Sequence, residues 1–442
     1  MKDTIFALAS GAGRAGIAVF RLSGPASGEA LKQLSGAALP PPRYAQRVKI
    51  AWKGERIDDG LALWFKGPAS FTGEDVVELH LHGGYAVASA LTEALLALGL
   101  RPAEPGEFTR RAFEAGKLDL TQAEAIADLV DADTAAQRRQ ALRQMDGALM
   151  RLYDDWREKI LGALAHIEAE IDFADEDLPE GLAAGARQDI ADLAAGMRAH
   201  LDDGFRGERV RDGYRIALLG AVNVGKSSLL NRLAGRPAAI VSTMAGTTRD
   251  VIEIRLDIEG LPVILADTAG LRESADVIEE EGVKRARERA VDADLRLVVL
   301  DGTSLAQADS ESLALLAEGR ALAVVNKIDL VRKDDIPTRL AESPVFPVSA
   351  ETGEGIDALL AAIGDMLASS AEAVASPPLT RARHRKAVED AHAALSRALD
   401  EALPELVAED VRMASRALGR INGRIDVEDV LDAIFRDFCI GK

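Results

Sequence analysis

Residues Gly220 to Ser228 read GAVNVGKSS, a GxxxxGK[ST] string whose glycines let the main chain wrap so that its N–H groups point at phosphates. Within it Lys226 is spaced to reach the terminal phosphates and the Ser227 hydroxyl to ligate magnesium, with Val224, Gly225 and Ser228 completing the cradle. Four further stretches follow in the order a guanine nucleotide requires: Gly246-Thr247-Thr248, Asp267-Thr268-Ala269-Gly270, Asn326-Lys327-Ile328-Asp329 and Ser349-Ala350. Thr248 is the expected second hydroxyl on magnesium, the Asp267 carboxylate would hold the metal from behind, and Gly270 would let the chain approach the terminal phosphate. Asn326 and Asp329 set base choice, because a carboxylate accepts from the N–H groups of guanine, which adenine does not offer. The set points to GTP with magnesium over a kinase or an ATPase.

Two features separate this loop set from signalling GTPases. Leu271 follows Asp267-Thr-Ala-Gly270 where many small GTPases carry the glutamine that orients the attacking water, so another group must do that work. Asp276, Glu279, Glu280 and Glu281 are the nearby candidates, against a solvated acidic face for any one of them. Asn223 adds a hard amide oxygen beside the phosphates, suited either to ligating a monovalent cation that replaces an arginine finger or to capping the loop.

The elements that must carry these loops are legible around them. Tyr214 to Leu219 reads as a buried strand running into the phosphate loop, and Ser228 to Leu233 as the helix after it. Leu261 to Ala266 is a second strand ending at Asp267, and Ala321 to Val325 a third ending at Asn326. With 442 residues and 48% hydrophobic content the chain is long enough for two or three cores. The net charge of −19 excludes a long-range positive field as the means of attracting nucleic acid. Arg381-Ala-Arg-His-Arg-Lys386 is a local basic stretch that suits tRNA contact or a solvated helix start. No run approaches the ~20 apolar residues of a membrane span and the start has no basic n-region before an apolar stretch, so the expected location is cytoplasmic with no membrane. A lone cysteine excludes an intrachain disulfide framework.

Before the nucleotide motifs, Leu142, Met145, Leu149, Leu152, Trp156, Ile160, Leu164, Ile167 and Ile171 recur every three or four residues, which predicts one long amphipathic helix. After them Val388, Leu395, Leu399, Leu403, Val411, Leu418 and Val430 predict further helices over 380–438. Neither flank offers a closed set of faces, so the nucleotide domain is expected as an insertion into one helical domain. The first 118 residues predict an α+β module, with strands at Ile17 to Leu22, Leu61 to Lys66 and Val76 to Leu81 and a helix near Ala86 to Leu98. The expected fold class is therefore multi-domain: α+β at residues 1–118, helical at 119–211, a P-loop α/β domain at 212–370, and helical again at 371–442.

Three further patterns in the sequence are weaker signals. Gly11-Ala-Gly13-Arg-Ala-Gly16 matches GxGxxG but runs into a strand instead of opening a helix, which rejects a dinucleotide site. Glu78, His80 and His82 share one strand face by its period of two, as a polar pocket, a metal site or a solvated face. The Phe438-Cys439-Ile-Gly-Lys442 end has the outline of a prenylation box, but Gly441, Lys442 and the missing basic segment argue against lipidation.

Asn223 in the phosphate loop, Ala245-Gly-Thr-Thr-Arg-Asp250, Asp267-Thr-Ala-Gly-Leu-Arg272, Phe71-Thr-Gly-Glu-Asp75, Pro105-Gly-Glu-Phe108, Lys117-Leu-Asp-Leu120 and the terminal Phe-Cys-Ile-Gly-Lys together resemble the MnmE (TrmE) family of tRNA-modification GTPases over the whole chain. Val222 departs from the proline usual before the Asn. The resemblance implies a homodimer with a folate-binding amino-terminal domain, and a G domain that pairs across its switches when potassium and GTP are bound. It implies the flavoprotein MnmG as partner in a heterotetramer, tRNA as substrate, and a tetrahydrofolate derivative in the methylene or 5-formyl form as one-carbon source. Arg21, Glu78, Lys117 and Lys442 would contact the folate, with Cys439 near it, either in a chemical role or as an inert packing thiol. Potassium would fall to Asn223, Thr247 and the main-chain oxygens of Ser242 and Met244, within a Ser242-Thr243-Met244-Ala245-Gly246-Thr247 wall around the nucleotide. Glu279 would orient the attacking water. A ribosome-assembly GTPase acting as an RNA-docking switch is the alternative, and the helical flanks argue against it.

Overall fold

The computed structural model describes residues 3–172, 182–237, 239–240, 253–267, 293–307, 310–317, 320–368, 377–423, 428–436, 438 and 440–441. The described chain forms two compact units, one built from Met1–Ala127, Gln144–Leu193 and Asp390–Lys442, the other from Asp128–Arg143 and Ala194–Glu389.

The first unit begins with strands β1 (Ile5–Leu8), β2 (Ala15–Ser23), β3 (Gln46–Trp52), β4 (Glu55–Phe65), β5 (Val76–Gly83) and β6 (Arg101–Pro102), and helices α1 (Ser27–Ser35), α2 (Tyr85–Ala97) and α3 (Glu107–Glu114). The sheet order is β3-β4-β5-β2-β1-β6, antiparallel except for the β1–β6 pair. Alternation decides its faces. Val77, Leu79 and Leu81 of β5 are buried in a core shared with Leu31 and Leu34 of α1 and Leu91 and Leu95 of α2. Glu78, His80 and His82 point to the other face. The glycine-rich Gly11–Gly16 segment enters β2, a strand, as its context predicts.

Helices α4 (Leu120–Val130), α5 (Ala135–Met145), α6 (Ala148–Asp172), α7 (Leu182–Leu201) and α8 (Arg206–Asp212) follow. The single helix predicted through Leu142–Ile171 is thus two, because Gly147 takes φ +77 and its N–H closes on the Gln144 carbonyl at 2.9 Å. Left-handed glycine ends a helix whatever the apolar period beyond it. The period itself holds in α6, where Leu149, Trp156, Ile160, Leu164 and Ile167 are buried, whereas Leu142 on α5 is exposed.

The second unit holds β7 (Tyr214–Leu219), α9 (Lys226–Ala234), β8 (Ala239–Ile240), β9 (Glu253–Ile258), β10 (Leu261–Asp267), β11 (Leu295–Asp301), α10 (Ser310–Ala317), β12 (Ala321–Asn326), β13 (Arg339–Leu340), β14 (Ser343–Pro347) and α11 (Ile356–Ala368). The order β13-β14-β12-β11-β7-β10-β9-β8 puts parallel strands β14, β12, β11, β7 and β10 at its centre. Their near-continuous apolar sequences are what a sheet covered on both faces requires. The chain ends with α12 (Ala382–Asp400), α13 (Pro404–Gly419) and α14 (Glu428–Arg436). Leu403 is not a core position: it is the residue before α13 and is exposed. Val388, Leu395, Val411 and Leu418 are buried as predicted. In the first unit α13 packs on α6, with Arg412 donating to Glu168 at 2.7 Å and Asn422 to Asp154 at 3.0 Å. Helices on either side of the nucleotide motifs therefore build one helical body.

Candidate functional site: the phosphate and base loops of the central sheet

Strands β7, β10, β11 and β12 run parallel and end side by side, so the loops after β7 and β12 meet at one edge of the sheet. Ligands of open α/β sheets bind at that carboxyl edge. The phosphate loop leaves β7 through Gly220, where φ is +130 and a Cβ would stand 2.2 Å from the Val299 carbonyl oxygen. It turns again at Asn223 (φ 66) and Gly225 (φ 96), three left-handed positions within six residues. Gly225 is also the cap of α9 and offers no side chain to its first N–H groups, the arrangement that suits an anion at a helix start.

Lys226 is buried, its ammonium donating to the Gly220 carbonyl at 2.7 Å and the Ala221 carbonyl at 2.8 Å. The base loops are tied to the same segment. The Asn326 amide donates to the Val224 carbonyl at 3.0 Å, while its oxygen accepts from the Ala350 N–H at 3.0 Å. Lys327, at φ 63, donates to the Asn223 carbonyl at 2.9 Å and to Asp301 at 2.6 Å. The Ser349 hydroxyl donates to Asp329 at 2.6 Å, leaving the exposed carboxylate oriented by its neighbour. Asn326, Lys327, Asp329, Ser349, Ala350, Asn223, Val224, Gly225 and Lys226 are thus brought together, and Ser227 and Ser228 are exposed on the first turn of α9.

Two supporting residues carried no motif signal. Arg232 of α9 donates to the Ala350 carbonyl at 2.8 Å, which anchors the Ser349–Ala350 loop. Asp301 ends β11 in register with Asn326 and accepts from Lys327 and from the N–H and hydroxyl of Thr303 at 2.9 and 2.7 Å. Burial pushes the Asp301 carboxyl up, but the Lys327 and Thr303 hydrogen bonds together outweigh it and hold it below the usual carboxylate range. Its position at a strand end beside a base loop was the only clue available. Asp267 ends β10 opposite Leu218 of β7. Ser242, Thr243, Met244, Ala245, Gly246, Thr247, Thr248, Thr268, Ala269, Gly270, Asp276, Glu279, Glu280 and Glu281 lie outside the described residues, as do Cys439 and Lys442.

A second polar cluster sits on the amino-terminal sheet. Arg21 of β2 is directly opposite Glu78 of β5 and donates to its Oε1 from Nε at 3.0 Å and Nη2 at 2.9 Å. The guanidinium lies 5.8 Å from the ring centres of both Phe71 and Phe108, of which Phe108 is buried and Phe71 exposed. His80 Nε2 is 3.5 Å from the other Glu78 oxygen, and exposed His82 pairs with Asp58 at 2.8 Å. Burial raises the Asp58 carboxyl, yet hydrogen bonds from the His82 N–H and ring lower it overall. The glutamate and two histidines do share a face, and among the described residues no group of three or more metal-type side chains could hold an ion. Lys117 is exposed, and a Cβ on Gly73 would lie 3.6 Å from its Cε.

Two family models match the chain: GTP-binding protein TrmE N-terminus over residues 4–117, and MnmE helical domain over residues 120–439. The tRNA modification GTPase MnmE of Paramagnetospirillum magneticum is 59% identical over 444 residues, with 100% of each chain covered. The protein of the same name from Rhodospirillum rubrum is 56% identical over 455 residues, covering 100% of this chain and 99% of that one. Its counterpart in Parvibaculum lavamentivorans is 56% identical over 448 residues with both chains fully covered. With relatives this similar along its whole length and a phosphate loop tied to guanine-reading loops, this chain belongs to the MnmE family of tRNA modification GTPases.

Proposed function

We propose that this chain is a potassium-activated GTPase that acts with the flavoprotein MnmG to add an aminomethyl or carboxymethylaminomethyl group to carbon 5 of the wobble uridine of tRNAs. The observation that carries the GTPase half is the joined loop set, in which Asn326 and Lys327 hold the phosphate loop from the base side. Exposed Asn223 on that loop offers a hard oxygen of the kind an alkali cation accepts, and the Ser227 hydroxyl offers one to magnesium. Thr248 and Asp267 would complete the magnesium shell, Ser242, Met244 and Thr247 the potassium shell, and Glu279 would orient the water.

The half-buried Arg21–Glu78 pair fits a folate, which carries carboxylates at one end and ring N–H donors at the other. Because the two side chains already satisfy each other, the ligand would share the pair, stacking toward Phe71, instead of meeting each charge separately. A bound tetrahydrofolate derivative would supply the one-carbon unit, with Lys117, Lys442 and Cys439 beside it. In this reading residues 1–118 form the folate and dimerisation domain, 212–370 the G domain, and 119–211 with 371–442 the helical domain. Among the described residues no helix is long and apolar enough to cross a membrane.

The test is GTP turnover in potassium against sodium at equal ionic strength over a range of protein concentration. Turnover several-fold faster in potassium, and rising per molecule with concentration, is expected from paired G domains. Equal rates in the two salts would remove the cation site from the reading.

A further inference from the structure

Lys327 occupies the second position of the base-reading stretch, yet its ammonium does not extend toward a base: it bridges the Asn223 carbonyl of the phosphate loop at 2.9 Å and Asp301 at 2.6 Å. A lysine ammonium on a four-carbon stem is a mobile point charge with several rotamers to lose, so a fixed anion on one side of the bridge offsets the cost of ordering it. Asp301 is fixed. It is the last residue of β11, paired in register with Asn326, and its second oxygen is occupied by the Thr303 N–H and hydroxyl. Gly302 next to it stands so close to β12 that a Cβ would lie 2.9 Å from the Asn326 carbonyl, so the absence of a side chain lets the strand ends approach.

We propose that Asp301 is a positioning residue for nucleotide binding: by holding Lys327 against the Asn223 carbonyl it keeps the phosphate loop and the base-reading loop in the one geometry that accepts the nucleotide. The inference rests on reading these loops as the guanine-nucleotide site. The Asp301 carboxylate touches neither nucleotide nor metal in this role. Its removal acts before chemistry, on the geometry of the empty loop set, so GDP and GTP are affected alike. A charge-assisted hydrogen bond lost from such a bridge weakens binding by roughly ten- to a hundred-fold.

The experiment is GDP titration and steady-state GTP turnover of Asp301→Asn, Lys327→Met and the double variant, with GDP binding by the wild type measured first. Failure of the wild type to bind GDP would overturn the site reading itself; every later arm concerns Asp301 alone. The expected result is a rise of about ten-fold or more in the GDP Kd and the GTP KM of Asp301→Asn, with kcat at saturation within about three-fold of wild type. The double variant is expected to be no worse than Lys327→Met, because the two residues form one bridge. Unchanged affinity in Asp301→Asn, a loss confined to kcat, or losses that add in the double variant would each overturn the proposal. If Asp301→Asn does not fold, Asp301→Ser is read by the same criteria, and its thermal midpoint without nucleotide separates a loosened domain from a loosened loop.

Discussion

At the residue scale, the glycines of the phosphate loop differ in what they do. Gly225 faces the Asn326 amide, with a Cβ placed 2.2 Å from its nitrogen, a side-chain contact that the amide's movement relieves at the expense of its bond to Val224. Gly220 faces the Val299 carbonyl at the same 2.2 Å, on a buried strand that has nowhere to go, and at φ +130. Both the clash and the dihedral oppose any side chain there, a strain on the order of 1–3 kcal/mol from the dihedral alone. Gly220→Ala is therefore expected to lower the thermal midpoint by several degrees and to abolish GDP binding. A variant with normal GDP affinity would show that the loop leaves β7 by another route. Nothing in the described residues makes Val222 a problem in place of the usual proline: it is 79% exposed at the tip of the loop.

At the element scale, the short helix α8 leads directly into β7 and is gripped along its length within the second unit. Gln140 donates to the Gly207 carbonyl at 2.8 Å and Gln137 to the Arg211 carbonyl at 2.9 Å. Gly207 itself is indispensable, since a Cβ would stand 1.8 Å from the Leu379 carbonyl. Arg385 of α12 closes the grip with bonds to Glu208 at 2.8 and 2.9 Å and to Asp203 at 2.7 Å, under the ring of Phe205 at 4.0 Å. His200 of α7 is buried beside this cluster. Burial, with the Arg385 charge and against the pull of Asp203, brings its pKa down from 6.5 to about 4. The native state therefore refuses a proton that the unfolded chain accepts, so stability falls as pH drops from about 6.5 to about 4 and is level above that window. Over the window the loss is on the order of 3 kcal/mol. Chemical denaturation at pH 7 and pH 4.5 checks this: wild type is expected to lose more stability between them than His200→Gln, and equal losses would mean that His200 is not the titrating group. The basic stretch Arg381 to Lys386 is thereby accounted for in part by folding, because Arg385 is spent on the grip and Arg381 donates to Asp128 at 2.6 Å.

At the scale of the whole molecule, described residues of the carboxyl-terminal segment pack on the amino-terminal sheet and the loop before α3 within the first unit. Pro105 bridges antiparallel to Ile440, Phe438 is buried against Gly106 and Phe435, and Gly441 at φ +101 sits where a Cβ would lie 2.4 Å from the Leu8 carbonyl. Leu8 and Ala7 of β1 pair with Phe20 and Arg21 of β2, so the carboxyl end is carried to the sheet that bears the Arg21–Glu78 pair. Gly441→Ala is expected to lift that end while leaving the G domain intact. With the folate site proposed above, GTP turnover should stay within about two-fold of wild type, while tetrahydrofolate affinity and tRNA modification in extracts lacking the wild-type protein both fall; full modification by the variant would separate the carboxyl end from that proposed site. Motif spacing alone was enough to read the ligand of the G domain, the strands that end at its loops and the face shared by Glu78, His80 and His82, because these depend on local periods and on side-chain chemistry. The break at Gly147 and the exposure of Leu403 were not legible, since an apolar period runs unchanged through a change of backbone direction. Nor were the Asp301–Lys327–Asn223 bridge, the pairing of Arg21 with Glu78 and the seat of Gly441 on β1. Each joins residues tens to hundreds of positions apart, and only strand order and register in the folded chain decide which of them touch.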